Sequence, residues 1–272
     1  MTKINIMING APGNMATMIM NHALKDKRYN VLPYSLTGSE ILESEYNINS
    51  FKCQLIHPHN RDQWIKEKSP KDWICIDFTL PASACENAEF YCINTLPFVM
   101  GTTGGDQRVL ESLVKNSQIS AVIAPNMAKQ IVALQAMITF AAENFPDVFK
   151  GYNLSIVESH QHTKVDTSGT AKAFVNCFNK LGIPFKENQI IKVRDPIKQK
   201  ELGVPQAYLK GHAWHTYTLK SSDETASFMI SHNINGRDIY ASGTLDAVEF
   251  LSKKLQSQTK GKVFSMIDVL IG

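Results

Sequence analysis

Cysteine is scarce in this 272-residue chain: five residues, at 53, 75, 85, 92 and 177, with no CxxC pair. An odd number without paired spacing argues against a disulfide framework, so the thiols read as reduced and mostly buried. None stands in the exposed strand-end setting that an acyl-forming aldehyde dehydrogenase gives its nucleophilic cysteine. A dominant charge is also lacking. The 28 basic and 25 acidic residues leave a net charge of +3, which gives no reason to expect nucleic acid or an anionic membrane as partner. No apolar run reaches membrane-spanning length, and "MTKINIMING" enters a strand without a signal-peptide core. The expectation is a soluble, cytoplasmic protein, with the plastid stroma open if a transit peptide has been removed. Repeats, low-complexity tracts and Gly/Ser linkers are absent as well.

What is present is a hydrophobic fraction of 43%, ample for a large core, arranged in a recognisable rhythm. "INIMI", "NVLPYS", "WICIDFT", "PFVMG" and "SAVIAPN" read as short strands. They alternate with helical stretches: "GNMATMIMNHAL", with Met15, Met18, Ile19 and His22 near one face; "RDQWIKEK"; "PASACENAEFYCIN"; and "DQRVLESLVKNS". That alternation predicts an α/β fold whose first domain is a Rossmann-like parallel sheet covered on both faces. Between Lys150 and Tyr240 the rhythm changes. "YNLSIVES", "IIKVR", "AWHTYTLKSS" and "TASFMISHNI" are strands with no helix-length segment between the last three, and "GTAKAFVNCFNKL" is an amphipathic helix. This predicts a second, α+β domain with a mixed sheet. "TLDAVEFLSKKL" is again a helix. The expected organisation is a dinucleotide-binding domain over 1–127, a substrate-binding and oligomerisation domain over 128–240, and a segment over 241–272 returning to the first. A hinge is expected near Pro125–Ala128, with a second crossing near Tyr240–Gly243.

Gly10, Ala11, Pro12, Gly13, Asn14, Met15 and Ala16 lie directly between the first strand and the first helix. Gly10 permits a tight turn, and Gly13 lets the backbone approach a pyrophosphate. Ala16 stands where a third glycine packs helix on strand. The first-turn N–H groups then face the phosphates. An acidic residue at the end of the second strand would hydrogen-bond the ribose 2′-hydroxyl of NADH and repel a 2′-phosphate. Here Ser35, Thr37 and Ser39 come before Glu40, so the expectation leans to NADPH, with NADH possible. Phe78, at a strand end, is a candidate to pack on the cofactor or in the core.

The stretch "VESHQHTKVDTSGTAKAF" concentrates carboxylate, imidazole, lysine and a Ser-Gly-Thr turn. Glu158, His160 and His162 alternate on a strand and so share a face, which makes a metal site geometrically possible. Lys164 beside them opposes a cation, and the expectation is no metal. His212, His215 and His232 read as strand residues with structural hydrogen bonds.

"NGAPGNM", "DFTLPAS", "FVMGTTGGD" and "VIAPNMA", followed by this stretch, occur in an order that resembles the dihydrodipicolinate reductase (4-hydroxy-tetrahydrodipicolinate reductase) family over nearly the whole chain. "VESHQ", "RDP", "GHAWH" and the terminal "MIDVL" point to its plant-type branch. The resemblance implies NAD(P)H-dependent reduction of a cyclic imine dicarboxylate, in lysine and diaminopimelate biosynthesis, by a homotetramer. It places Gly10–Met15 at the pyrophosphate, and Gly101, Thr102 and Thr103 beside the nicotinamide and ribose. Ala124, Pro125, Asn126 and Met127 would close over the nicotinamide. His160 and Lys164 match the catalytic pair, and Ser168, Gly169 and Thr170 the turn that holds a substrate carboxylate. Gln161 stands where bacterial members have a second histidine, and "DTSGT" is one residue shorter than their pattern. Two alternatives stand beside this reading: a Rossmann dehydrogenase of another small acid, and a non-catalytic dinucleotide sensor. The sensor could dispense with His160 and Lys164.

Overall fold

The computed structural model describes residues 2–68 and 71–272. The chain divides into two compact units, Met1–Lys129 together with Asp238–Gly272, and Gln130–Arg237.

In the first unit, strands β1 (Ile4–Asn9) and β2 (Tyr29–Val31) flank helix α1 (Asn14–Ala23). Pro33 then interrupts the run read as one strand, because it cannot donate to a ladder. The chain leaves the main sheet as β3 (Tyr34–Leu36), which joins β4 (Glu45–Ile48) and β5 (Phe51–Ile56) in a separate three-stranded sheet of order β3-β5-β4. Neither β4 nor β5 was expected from the sequence: their polar alternation around Asn47 to Ser50 looks like loop. After α2 (Arg61–Lys66) come β6 (Ile74–Asp77), α3 (Ala84–Ile93), β7 (Phe98–Met100), α4 (Gln107–Lys115) and β8 (Ala121–Ile123).

The second unit holds α5 (Lys129–Asn144), a 16-residue helix that the sequence reading passed over. It then runs through β9 (Tyr152–His160), α6 (Gly169–Lys180), β10 (Ile191–Val193), α7 (Pro196–Glu201), β11 (His212–Ser221) and β12 (Ser227–Asn235). Its sheet has the order β10-β9-β11-β12, with β10 parallel to β9 and the other pairs antiparallel. That is the mixed sheet expected. The chain ends in the first unit with α8 (Asp238–Gln256), β13 (Val263–Phe264) and α9 (Met266–Ile271). The second unit ends at Arg237, and α8 begins at Asp238, close to the crossing expected near Tyr240–Gly243. Gly243 is inside the helix, where an added Cβ would lie 1.8 Å from the Met127 carbonyl oxygen. Only glycine allows that approach.

The main sheet of the first unit is entirely parallel, with the order β13-β8-β7-β6-β1-β2. Alternate residues serve opposite faces. Met7, Cys75, Phe98 and Met100 meet Ala84, Ala88 and Tyr91 of α3 and Leu110 and Val114 of α4. Their neighbours Ile6, Ile8, Ile76 and Val99 are fully buried on the other side, where α8 packs against α1 and across β6, β7 and β8. The buried stripe of α1 is Ala16, Ile19, Met20 and Ala23, one position round from the face expected through Met15 and Met18. The strand order reverses between β1 and β6, so their carboxyl ends form the crevice where ligands of such sheets bind. The core of the second unit is aromatic: Phe174 stacks on Tyr217 at 4.6 Å between ring centroids, with Phe178 and Ile156 alongside.

Candidate active site

At the crevice of the first unit, Gly10 takes φ +104°, and a Cβ there would lie 2.4 Å from the Phe78 carbonyl oxygen. Glycine is therefore demanded twice, by conformation and by space. The Gly13 N–H donates to the Gly10 carbonyl (2.8 Å), and the Gly10 N–H donates to the Leu36 carbonyl (2.8 Å). A cleft of about 280 Å³ opens over this loop, lined by Gly10–Asn14, Thr37, Gly38, Glu40, Ile41 and Phe78–Leu80. The loop's own N–H groups are spent within the protein, so a dinucleotide pyrophosphate here would be met by the start of the ten-residue helix α1, which has no side-chain cap. Met15 is half-buried in the first turn of α1.

Several residues expected to touch the cofactor make hydrogen bonds within the protein. The Ser35 hydroxyl accepts from the Ala11 N–H (3.1 Å), and the Thr37 hydroxyl donates to the Ala11 carbonyl (2.8 Å). Ser35 is wholly buried and Thr37 nearly so. Both hydroxyls hold the loop and neither is free for a 2′-phosphate. The Thr102 hydroxyl turns inward too, donating to Asp77 Oδ1 at 2.7 Å. Phe78 lies against Gly101, where an added Cβ would come within 2.2 Å of the ring. Thr103 and Pro125 are exposed, Ala124 and Met127 are buried, and Asn126 Oδ1 accepts from the Ala128 N–H (3.0 Å).

Sequence reasoning missed what lies beneath the loop. Asp77 is fully buried and accepts from Tyr91 Oη (2.7 Å), Asn87 Nδ2 (3.0 Å) and the Thr79 hydroxyl (2.8 Å). Tyr91 Oη in turn accepts from Asn9 Nδ2 (2.8 Å), whose Oδ1 accepts from the Leu36 N–H (2.9 Å). Burial and the Asp77 charge hold the Tyr91 phenol well above its ordinary range, so it stays a donor. The polar residues Asn9 and Asp77, each ending a buried apolar strand, were the available signal.

In the second unit, His160 ends β9 and is 7% exposed. Its Nε2 lies 3.4 Å from His215 Nε2, and its carbonyl accepts from Gln199 Nε2 (2.7 Å). Burial first, then the charges of Arg194 and Lys164, push the His160 imidazole down to about 4, so at neutral pH it is uncharged. Burial and the facing His232 and His160 rings push His215 lower still, to about 2. His212 is buried, Nδ1 against the Tyr208 carbonyl (3.0 Å) and Nε2 against the Ser159 hydroxyl (2.7 Å).

Glu158, with 0% exposure, pairs with Arg194 through Oε1. Its Oε2 accepts from the Ser168 N–H (3.0 Å) and lies 3.8 Å from His215 Nε2. The third group near Glu158 and His160 is thus His215, not His162. His162 lies beyond the strand end and is exposed, so the alternation expected through it stops. The ligand atoms of Glu158, His160 and His215 lie within 4.8 Å of one another, but the guanidinium on Glu158 sets a fixed positive charge beside them. Past His160, the Gln161 carbonyl accepts from the Lys164 N–H (3.0 Å), closing a turn that leaves the Lys164 side chain half-buried. Ser168 is buried with its N–H spent on Glu158. Gly169 and Thr170 begin α6, and their N–H groups meet no acceptor among the described residues.

A parallel nucleotide-binding sheet with a glycine-turn crevice, joined to a mixed-sheet unit carrying an imidazole–lysine loop, defines a two-unit reductase architecture. The sequence models "Dihydrodipicolinate reductase, N-terminus" and "Dihydrodipicolinate reductase, C-terminus" match residues 4–127 and 130–270. The chain belongs to the dihydrodipicolinate reductase family. It is 43% identical over 268 residues to the probable 4-hydroxy-tetrahydrodipicolinate reductase 1, chloroplastic, of Oryza sativa subsp. japonica, covering 97% of this chain and 78% of that protein. It is 43% identical to the Arabidopsis thaliana 4-hydroxy-tetrahydrodipicolinate reductase 2, chloroplastic, covering 98% of this chain and 77% of that protein. The dipicolinate-bound dihydrodipicolinate reductase from Paenisporosarcina sp. TG-14 shares the fold at a TM-score of 0.68 and 18% identity, covering 97% of this chain and 98% of that one. No helix among the described residues is long and apolar enough to cross a membrane.

Proposed function

We propose that this chain reduces 4-hydroxy-tetrahydrodipicolinate to tetrahydrodipicolinate with NAD(P)H and loss of water, the lysine and diaminopimelate pathway reaction for which its plant relatives are named. The observation that carries the proposal is the β9–α6 loop. It gathers an imidazole, an ammonium and two helix-start N–H groups without acceptors, a set that suits a dicarboxylate which must also receive a proton. Gly169 adds to this. An added Cβ there would meet nothing within 4 Å, and its φ is not of the left-handed kind, so the fold itself does not ask for glycine. Close approach of a ligand would.

The nicotinamide supplies the hydride when bound. Loss of the 4-hydroxyl as water leaves a conjugated imine, and hydride addition makes an enamine-like anion that takes up a proton. Lys164 and the N–H groups of Gly169 and Thr170 hold carboxylate, with Gln161 beside them. His160 and Lys164 deliver the proton. The free His160 is neutral, held down by burial first and then by the Arg194 and Lys164 charges, and two incoming carboxylates offset those charges.

For the cofactor we infer that NADH and NADPH are both used, without the expected lean to the phosphorylated form. The hydroxyls of Ser35 and Thr37 no longer support a preference. The Glu40 carboxylate lines the cleft, folded over the Gly38 Cα, where it suits a ribose 2′-hydroxyl and repels a 2′-phosphate. Nucleotide binding is assigned to residues 1–127 with 241–272, and the dicarboxylate to 128–240. For assembly we infer a homotetramer through the second unit, whose β12 exposes Phe228 and Met229. For compartment we infer an aqueous one, cytoplasm or plastid stroma. The test is an NAD(P)H oxidation assay on freshly made condensation product of pyruvate and aspartate semialdehyde. Oxidation that depends on that product is expected, and its absence would contradict the assignment.

A further inference from the structure

The loop from Gln161 to Ser168 has no regular structure of its own, yet its middle and its far end are fastened to one ion pair, Glu158 with Arg194. β10 runs parallel to β9, with Val193 opposite Ser159, so Arg194 emerges beside the end of β9. The sequence then stops the chain abruptly. Asp195 caps α7, its Oδ1 accepting from the Ile197 and Lys198 N–H groups (2.8 and 3.0 Å), and Pro196 takes the first helical position. The base of the Arg194 side chain is thereby fixed.

From that base the guanidinium reaches under the loop. Nε donates to the Lys164 carbonyl (2.7 Å), Nη2 to the Asp166 carbonyl (3.3 Å), and Nη1 to the Glu158 and Val193 carbonyls (3.3 and 3.2 Å). Nη2 also pairs with Glu158 Oε1, and the other carboxylate oxygen takes the Ser168 N–H (3.0 Å). The two side chains bracket the loop, Arg194 at its middle and Glu158 at its far end. A planar fork can meet carbonyls and a carboxylate together, which an ammonium on a flexible stem cannot.

We propose that Glu158 and Arg194 are positioning residues that together hold the 161–168 loop in the shape presenting Lys164 and the start of α6 to the dicarboxylate. This rests on reading that loop as the dicarboxylate site. Neither residue touches the substrate. Their role is to fix the distance between an ammonium and two backbone donors, on which recognition of a rigid dicarboxylate depends.

The test uses the full chain with pyridine-2,6-dicarboxylate as probe, binding read by calorimetry and backbone order by hydrogen exchange. Arg194→Lys should weaken the probe roughly tenfold or more and raise KM for the imine in step. Exchange should accelerate at 161–168 while affinity for NAD(P)H stays unchanged. Arg194→Met alone leaves a buried unpaired carboxylate and is expected to lose stability for that reason, so the Glu158→Gln/Arg194→Met double variant is the control. Removing both charges should recover most of the thermal stability lost by the single variant without recovering probe binding. Probe binding within twofold of wild type in Arg194→Lys or the double variant, or unchanged exchange at 161–168, would overturn the inference. A wild type that binds the probe but leaves the imine unreduced would overturn the proposed activity and leave the clamp standing. A wild type that does not bind the probe overturns the clamp's purpose.

Discussion

The β1–α1 turn and the β9–α6 loop both carry a strand into a helix start, and they are held by opposite means. The first is four residues of tight backbone, Gly10 to Gly13, fixed by main-chain hydrogen bonds, a positive-φ glycine and two neutral hydroxyls. The second is eight residues long, and buried charges and imidazoles hold it. On the proposed reading, the first needs only backbone, since a pyrophosphate is met by the N–H groups of the helix start. On the same reading the β9–α6 loop places a cation, a proton donor and an anion site together, and the side chains that hold it come from β9, from the end of β10 and from β11.

The largest expected effect falls on the first turn. A Cβ at Gly13 would lie 2.6 Å from the Gly10 carbonyl oxygen, so Gly13→Glu breaks the turn and adds a negative charge facing the phosphates. Cofactor Kd should rise by roughly 100-fold or more, about 2.7 kcal/mol, while pyridine-2,6-dicarboxylate binding is kept. Normal cofactor binding by calorimetry would refute the assignment of the turn.

Acid should separate the two units next. His160, His212, His215 and His232 all have depressed proton affinity, with burial the first cause in each. A histidine held below its unfolded value binds fewer protons folded than unfolded, so its contribution to stability is present above pH 6.5 and is lost as pH falls towards the folded value. For His160, held at about 4, the loss between pH 7 and pH 5 is on the order of 2 kcal/mol. Hydrogen exchange at pH 5 should therefore quicken in residues 130–237 before it does in the parallel-sheet unit. Equal quickening in both would show that the buried imidazoles do not govern acid stability.

A smaller effect sharpens the reading of the nucleotide cleft. Glu40→Ala should raise the ratio of kcat/KM for NADPH over NADH by about tenfold, roughly 1.4 kcal/mol. An unchanged ratio would remove Glu40 from cofactor discrimination.

The difference between the two loops also explains what the sequence disclosed. The turn at Gly10–Ala16 is local: its residues are contiguous, and each has a steric reason that can be read from spacing. The parallel strands were legible for the same reason, as short apolar runs between helices. Pro33 did not reveal that "NVLPYS" is two strands in two sheets, because a proline in a short strand reads equally as an edge. Ser35 and Thr37 look ligand-facing in sequence, and only their hydrogen bonds to Ala11 show them turned inward. His160, Lys164 and Gly169 were legible through a motif. Arg194 and His215 were not legible as neighbours of that motif, since strand pairing brings them from 34 and 55 positions beyond His160. The α5 helix carries a stripe of Leu134, Ile138 and Ala141 that packs on the second unit's core, but apolar Val132, Met137 and Phe140 between them blur it in sequence.

The central claim is that His160 and Lys164 deliver the proton on the second unit while the cofactor is bound on the first. It is tested most directly by measuring kcat with the imine substrate, alongside cofactor Kd, for His160→Gln and Lys164→Met. Each should lose roughly 10²-fold or more in kcat, the scale of general acid catalysis, with cofactor Kd unchanged. The double variant should be less impaired than the product of the two losses, as groups acting on one proton transfer are not additive. Near wild-type kcat in either single variant would contradict the account.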